Sequence, residues 1–594
     1  MSDEVTKNPV RKQQMGRKAL WLGQVILAAC FLLTGSTTGW AADDDADRLV
    51  ITAQDIADMK VNRIADIFNQ MPGVTAGTSS VGIHGSYKVK VFLDGTPLND
   101  PTSATAVNWS HVAIENIERI EILRDSGGMR YGQDASGGVI LITSKALDSS
   151  SKGLDSWSGN IKAYGGNQDT GHLDFNMGTR KGLWSLGFKG AYDRTESYGI
   201  NNDKEKWQTG LKVSYNQSEK RFISLSADYL EDERGMSGLP DFPTPHFRQR
   251  KRNVPLGLTG RYDDWGNTLY YNGGLVENTD ISRNLDTTLR VSELGDDLTY
   301  DIQTGDSGVL TLGTGFLYGQ ASSSEFDKQS EHSLYLLAAE KFKRGAWTLK
   351  VGARGNYNSA FENALNPEAS VSYTGDRWNS TFSYSRATNT PSFQQRYNHT
   401  SSTIPNPSLG METSDNYSQA FNFEPTDDVS LGLTFFYNNL TDRITYVRLG
   451  NSGVSQYQNV GRVTYKGGDL TANWRANEVL TFKISYTYLE AMDEDLNKLV
   501  TAKAKHKGDF EIYIKPFDGF SNVLKASYSS PVYTDRNNTN KLPAYTLFGF
   551  RSEYSFEKWN IFMEIENLFD KTYLYSDGIL APPRTWIIGV NRKI

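Results

Sequence analysis

The stretch IENIERIEILRDSGGMRYGQDASGGVILITSK, from Ile114 to Lys145, decides how the rest of the chain is read. Charged and apolar residues alternate from Arg119 to Leu123, the mark of a strand. A second apolar strand runs from Gly138 to Thr143 after a turn region carrying Gly127, Gly128, Gly132 and Gly137. Glycine permits the positive φ that such a turn demands. Ile120, Ile122, Val139 and Leu141 supply apolar faces, so this part of the chain is expected to be a small compact α+β domain.

Working outward, the upstream residues fit the same small domain. Gln54 to Gln70 places Ile56, Met59, Ile64, Ile67 and Phe68 at helical spacing and predicts one amphipathic helix, ended by Pro72-Gly73. Val89 to Leu93 reads as a strand running into a turn at Asp94-Gly95. Downstream the pattern changes to alternation. Trp378, Phe382 and Tyr384 share one face, with Asn379, Thr381 and Ser383 on the other; Val429, Leu431, Leu433, Phe435 and Tyr437, then Phe482, Ile484, Tyr486 and Tyr488, repeat the theme. A period of two means strands with a different environment on each side. Composition alone, with 54 Gly, 31 Tyr and 12 Trp, also suits a large soluble β protein, but a polar face lining a wet lumen and many aromatics near strand ends favour a membrane barrel over a sandwich. Residues 156–594, at roughly twenty residues per strand and connection, give about 22 antiparallel strands, a width that needs a plug. The polar stretch Glu231 to Asn253 is a candidate loop.

The N-terminus reads as an export signal over residues 1–41: Arg11, Lys12, Arg17 and Lys18 precede the apolar run Ala19 to Leu33, and Gly39-Trp40-Ala41 offers a cleavage site. A rival is lipidation at Cys30, although apolar residues continue past it. Losing the five basic and two acidic residues of that segment takes the formal charge from −7 to −10 and removes the one cysteine. An acidic chain argues against nucleic acid, and no thiol chemistry is expected. No catalytic set and no metal-ligand spacing occurs, so neither enzyme activity nor a resident cofactor is expected.

These residues also carry a resemblance. Ile117-Glu118-Arg119-Ile120-Glu121-Ile122-Leu123-Arg124, then Tyr131-Gly132 and Ala135-Ser136-Gly137-Gly138-Val139-Ile140, resemble the end of the plug of TonB-dependent outer-membrane receptors, with Asp125 where a Gly is usual. Val89 to Asn99 resembles another plug motif, while Glu566 to Tyr573 and Pro583-Arg584-Thr585-Trp586 resemble the C-terminal barrel signature. The chain ends in Ile594, where such barrels usually end in Phe or Trp. The resemblance implies a plug at residues 48–147 inside a barrel at 156–594, in the outer membrane of a Gram-negative cell. It leaves no place for an extra signalling domain upstream. It implies a monomer, inserted in outer-membrane lipid by the barrel assembly machinery, that works with TonB and its inner-membrane energising complex on a metal-chelate or corrinoid ligand.

Several site residues follow from the resemblance alone. Leu49, Val50, Ile51, Thr52 and Ala53, within the N-terminal segment 42–53, resemble the TonB box; they are equally placed to be the first plug strand, or both. Two plug arginines and two barrel acids form a cluster in the family. Here Arg124 matches one Arg, His84 stands for the other, Asp469 matches one acid and Ser418 falls at the second, so a reduced cluster of His84, Arg124 and Asp469 is expected. Keeping the charges balanced fits the cost of an unpaired buried ion. Ser79, Ser80, Tyr87, Trp109, His111, Tyr397 and His399 are candidate ligand-facing positions. His399 stands where haem receptors place an iron ligand. Cargo is expected to be cobalamin or a ferric siderophore; haem import, or surface binding without transport, are the alternatives.

Overall fold

The computed structural model describes residues 48–124, 126–145, 157–196, 199–239, 242–450, 453–576 and 579–594. The expected export signal, Cys30 and the segment 42–47 lie outside the described residues. A five-stranded sheet forms the N-terminal domain, in the order β1 (Arg48–Thr52), β6 (Ile117–Arg124), β7 (Gly138–Ser144), β4 (Val89–Leu93), β5 (Thr96–Pro97). Only the β4–β7 pair is parallel. β2 (Val74–Ala76) and β3 (Val81–Ile83) make a separate hairpin. Ile51, Ile67, Phe68, Ile83, Ile120, Ile122, Ile140 and Ile142 fill the core between sheet and helices.

The helix expected over 54–70 is two helices, α1 (Ala53–Met59) and α2 (Ile64–Asn69). Lys60 caps α1 in the left-handed conformation, at φ 55°. Contacts with the surrounding wall accompany the break: Lys60 Nζ reaches Glu553 at 2.9 Å and Asn62 Nδ2 donates to Glu564 at 2.5 Å. Helical periodicity on both sides hid the interruption, because its partners lie some five hundred residues away.

Around this domain closes an antiparallel barrel of 22 strands, from Trp157–Gly166 to Thr585–Lys593, the last strand pairing with the first through Ile587↔Gly166 to Lys593↔Asn160. Alternation is carried through as the pattern demands. On the strand Val429–Thr441, Leu431, Leu433, Phe435 and Tyr437 face outward and exposed, while Thr434, Phe436 and Asn438 are buried against the interior. An unbroken apolar outer band of this kind suits lipid rather than water. One end of the barrel has short turns such as 182–183, 263–264 and 345–346; longer connections such as 390–411 and 442–462 rise from the other. Aromatic pairs mark the turn end, among them Trp184 with Tyr215, Trp265 with Tyr300 and Trp347 with Tyr373. Rings of this type settle at a membrane–water boundary.

The stretch Glu231 to Asn253 is mostly strand, not loop. Strands Arg221–Gly235 and Phe247–Tyr262 extend past the apolar band, paired as far as Gly235↔Arg248. Ion pairs such as Arg250–Glu231 hold the extension on its outer side, so charge that reads as loop is charge on a paired ladder.

The plug–barrel interface as candidate functional site

His84 follows β3 at a left-handed turn, φ 46°, and its backbone N–H donates to the Gly73 carbonyl at 2.8 Å. This turns the imidazole out of the plug onto the wall, where it stacks on Phe436 with ring centres 3.6 Å apart. Its Nε2 lies 2.8 Å from Asp469 Oδ2; an ionised carboxylate only accepts, so Nε2 carries the hydrogen. Arg124, at the end of β6, donates from Nη1 to the same oxygen at 3.1 Å and from Nη2 to Thr434 at 3.3 Å. The three residues of the expected cluster therefore meet at one buried point. Ser418 contributes no charge: its hydroxyl lies 2.7 Å from that of Ser383 on the neighbouring strand.

Gly73 closes the cluster from the plug side, at φ 75°, with its N–H donating to Thr487 at 2.6 Å. A Cβ there would stand 2.5 Å from Asp469 Oδ2 and 2.6 Å from His84 Nε2. Gly73→Ala is expected to push the ion pair apart and to destabilise plug seating by about 1–3 kcal/mol, combining backbone strain with the lost contact. Hydrogen exchange of the peptide spanning residues 71–84 reads this directly; unchanged protection would refute it.

The segment expected to be a TonB box or a plug strand is β1 from Arg48 to Thr52, with Ala53 opening α1. Pairing to β6 places Leu49 opposite Ile122 and Val50 opposite Glu121. Ile51 is buried in the core and Val50 is exposed. β1 is the sheet's edge, so one side of its backbone is unpaired within the sheet. Arg48 and Arg119 both donate to Glu121 at 2.7 Å. Burial alone would raise the Glu121 pKa, but these two bonds and their charges hold it below the ordinary carboxylate range.

Of the candidate ligand-facing residues, Ser79 and Ser80 are half-buried at the turn joining β2 to β3, and Tyr87 is exposed beneath Lys503, whose ammonium sits 4.0 Å above its ring. His399 is exposed on the connection 390–411. Tyr397 turns inward at the end of α3 (Phe393–Tyr397), its hydroxyl accepting from Arg396 at 2.6 Å. Trp109 and His111 are buried between plug and wall and do not face open solvent. They form a 3-10 turn whose indole lies 5.1 Å from the Phe68 ring, while His111 Nε2 is 2.9 Å from Asn253 Oδ1 on the wall. Burial lowers the His111 pKa and favours the neutral ring.

Sequence reading missed the wall lysines that meet the plug, among them Lys162, Lys189, Lys206, Lys212 and Lys251. Their inward parity along each strand is visible in the sequence, but which strand stands opposite which plug edge is not.

Comparison with known proteins agrees with this architecture. The family model "TonB dependent receptor-like, beta-barrel" matches residues 108–568, and "TonB-dependent Receptor Plug Domain" matches residues 42–139. The chain is 24% identical over 588 residues to the vitamin B12 transporter BtuB of Photobacterium profundum, covering 92% of each. It superposes on the siderophore receptor PirA of Acinetobacter baumannii with a TM-score of 0.77 at 15% identity, covering 92% of this chain and 98% of that one. For a variant of the ferric enterobactin receptor PfeA of Pseudomonas aeruginosa, solved with enterobactin, the TM-score is 0.78 at 17% identity, covering 93% of this chain and 100% of that one. With a barrel model matched across most of its length and a plug model ahead of it, the chain belongs to the TonB-dependent receptor family.

Proposed function

We propose that this protein imports a scarce, bulky nutrient across a Gram-negative outer membrane, drawing on the inner-membrane proton gradient through TonB. The observation that carries the reading is the seating of the plug: it is held to the wall by exchangeable ionic and hydrogen-bonded contacts, such as Arg124–Asp469 and Lys60–Glu553, rather than by one continuous apolar core. Such a plug blocks passive flow yet can be rearranged by work done on it. β1, at the head of the described chain, offers an open sheet edge to which a partner strand can add through backbone hydrogen bonds. The name of the relative BtuB and those of the structural neighbours favour a corrinoid or a ferric siderophore as cargo.

The test is binding of ferric siderophores, cyanocobalamin and haem, side by side, to the detergent-purified protein, followed by uptake of the bound compound in cells with and without TonB. Tight binding of one cargo and TonB-dependent uptake are the expected results. Binding without any TonB-dependent uptake would overturn the import reading in favour of a surface binder.

A further inference from the structure

The plug and the wall exchange electrostatic roles around the barrel. On the six consecutive strands from Trp157–Gly166 to Phe247–Tyr262, the wall supplies cations and the plug supplies acceptors. Lys162 pairs with Glu115 at 2.9 Å, Lys212 with Asp94 at 2.6 Å and Lys251 with Asp100 at 3.4 Å. Lys206 donates to Ser110 Oγ at 2.6 Å and Lys189 to the His111 carbonyl at 2.7 Å. Elsewhere the order is mostly reversed: Arg130, Arg124, Lys60 and Arg63 of the plug reach Asp297, Asp469, Glu553 and Glu566 of the wall. The strand His506–Phe517 departs from this, with Lys507 on the Val74 carbonyl and Lys515 on Asp58.

Space lies between plug and wall along the basic arc and at its edge. A cavity of about 190 Å³ stands at the edge of the arc, between Thr102, Ser103, Gln249 and Lys251 on one side and Asn278, Leu289 and Glu325 of the wall beyond it on the other. A second shares Thr102 and Lys251 with it and continues past Asn108, Ser110 and Lys206. The third, about 70 Å³, begins at His111, the next residue along, and runs by Lys189 and Lys212 to Asn116 and Ser144. On the far side the contact is closer: Gly128 lies against Ala387, and Met129 packs on Tyr335 and Leu337.

We infer that cargo passes along this seam and that the cargo is anionic. The inference rests on the import reading above. Its physical basis is that Asp94, Asp100 and Glu115 belong to the plug. Shifting the segment 94–117 inward carries these carboxylates away and leaves Lys251, Lys212 and Lys162 without their plug acids, Lys212 keeping the Ser144 hydroxyl and Lys162 the Asn62 carbonyl, beside Lys206 and beside Lys189, which keeps Asp228 at 2.7 Å. The same shift on the Asp297 or Glu553 side would uncover carboxylates and repel an anion. Closed, three of these lysines are matched by the plug's acids; open, the cations outnumber the acids that stay on the wall, Asp228 and Asp232, and the seam is a cationic track.

The test uses a chain in which Cys30 is Ser and one thiol is introduced, at Asn116→Cys in the innermost cavity or at Gln133→Cys, whose native side chain meets Asn358 at 3.2 Å on the far side. Modification from outside by an anionic sulfonatoethyl and a cationic trimethylammonioethyl methanethiosulfonate is followed in energised cells. The Asn116→Cys thiol is expected to react about tenfold faster with the anionic reagent, an order typical of a charged cleft. Lys189→Gln, Lys206→Gln and Lys251→Gln together should remove that preference, and raised salt should weaken it in the unaltered wall. A preference that survives both changes, a faster reaction with the cation, labelling confined to Gln133→Cys, or no labelling at either position each overturns the inference. Uptake of the cargo in the same cells separates the two readings. Uptake without labelling sinks only the route; labelling with charge preference but no uptake of any compound sinks the import reading.

Discussion

Asp469→Ala will loosen the plug by about 3–5 kcal/mol, the usual cost of removing one member of a buried ion pair and leaving the other. Asp469 is 2% exposed and accepts from both His84 and Arg124 through one oxygen. Without it the Arg124 guanidinium keeps only Thr434 among these contacts, and the His84 Nε2–H faces a cavity beside Gly73. Asp469→Asn retains an acceptor of the same shape and will cost less. Adding His84→Ala to Asp469→Ala will cost less than the sum of the two, because both remove one shared contact. Hydrogen exchange of plug peptides against barrel peptides measures all three. Equal protection of residues 71–84 and 117–124 in wild type and Asp469→Ala would show that the cluster does not hold the plug.

Joining β1 to β6 by a disulfide will abolish transport while leaving ligand binding intact, and reductant will restore it. Val50 and Glu121 stand directly opposite each other in an antiparallel pair. Such residues have Cα atoms about 4.5–5.5 Å apart, within disulfide reach. The pair Val50→Cys and Glu121→Cys spares the core, since Val50 points outward and Ile51 holds the buried position. It does give up the Glu121 carboxylate, so Glu121→Ser with Val50→Ser is the matching control. If the pull on the N-terminus must peel β1 from β6, the oxidised form is inert. Full transport by the oxidised form would place the pulled segment ahead of residue 48 and leave β1 a structural strand only.

Much of this architecture could be read before the structure because a barrel strand declares itself locally. The outward face of Val429–Thr441 is written at every second residue, and 22 strands follow from length once each strand and turn has a typical size. The charge cluster was legible for a similar reason, since His84 and Ser418 depart together from a pattern in which their charges would balance. What escaped depends on contacts remote in sequence. Lys60 and Asn62 end a helix because of Glu553 and Glu564. Trp109 and His111 look like loop-tip residues until Phe68 and Asn253 cover them. Arg250 and Glu231 resemble loop charge because nothing in either segment states that they stand on neighbouring strands. The lysine arc needs both kinds of knowledge, parity within a strand and the rotation of the plug inside the ring.

The ring closes on the pairing of Thr585–Lys593 with Trp157–Gly166, so its two seam strands are the first and the last described barrel strands in chain order. Until the final strand arrives, the barrel is an open sheet with two bare edges, one of them following the plug domain in the chain. A chain shortened by its last ten residues would lose this strand whole, leaving Trp559–Glu566 and Trp157–Gly166 each with a bare edge and the plug inside an unclosed sheet.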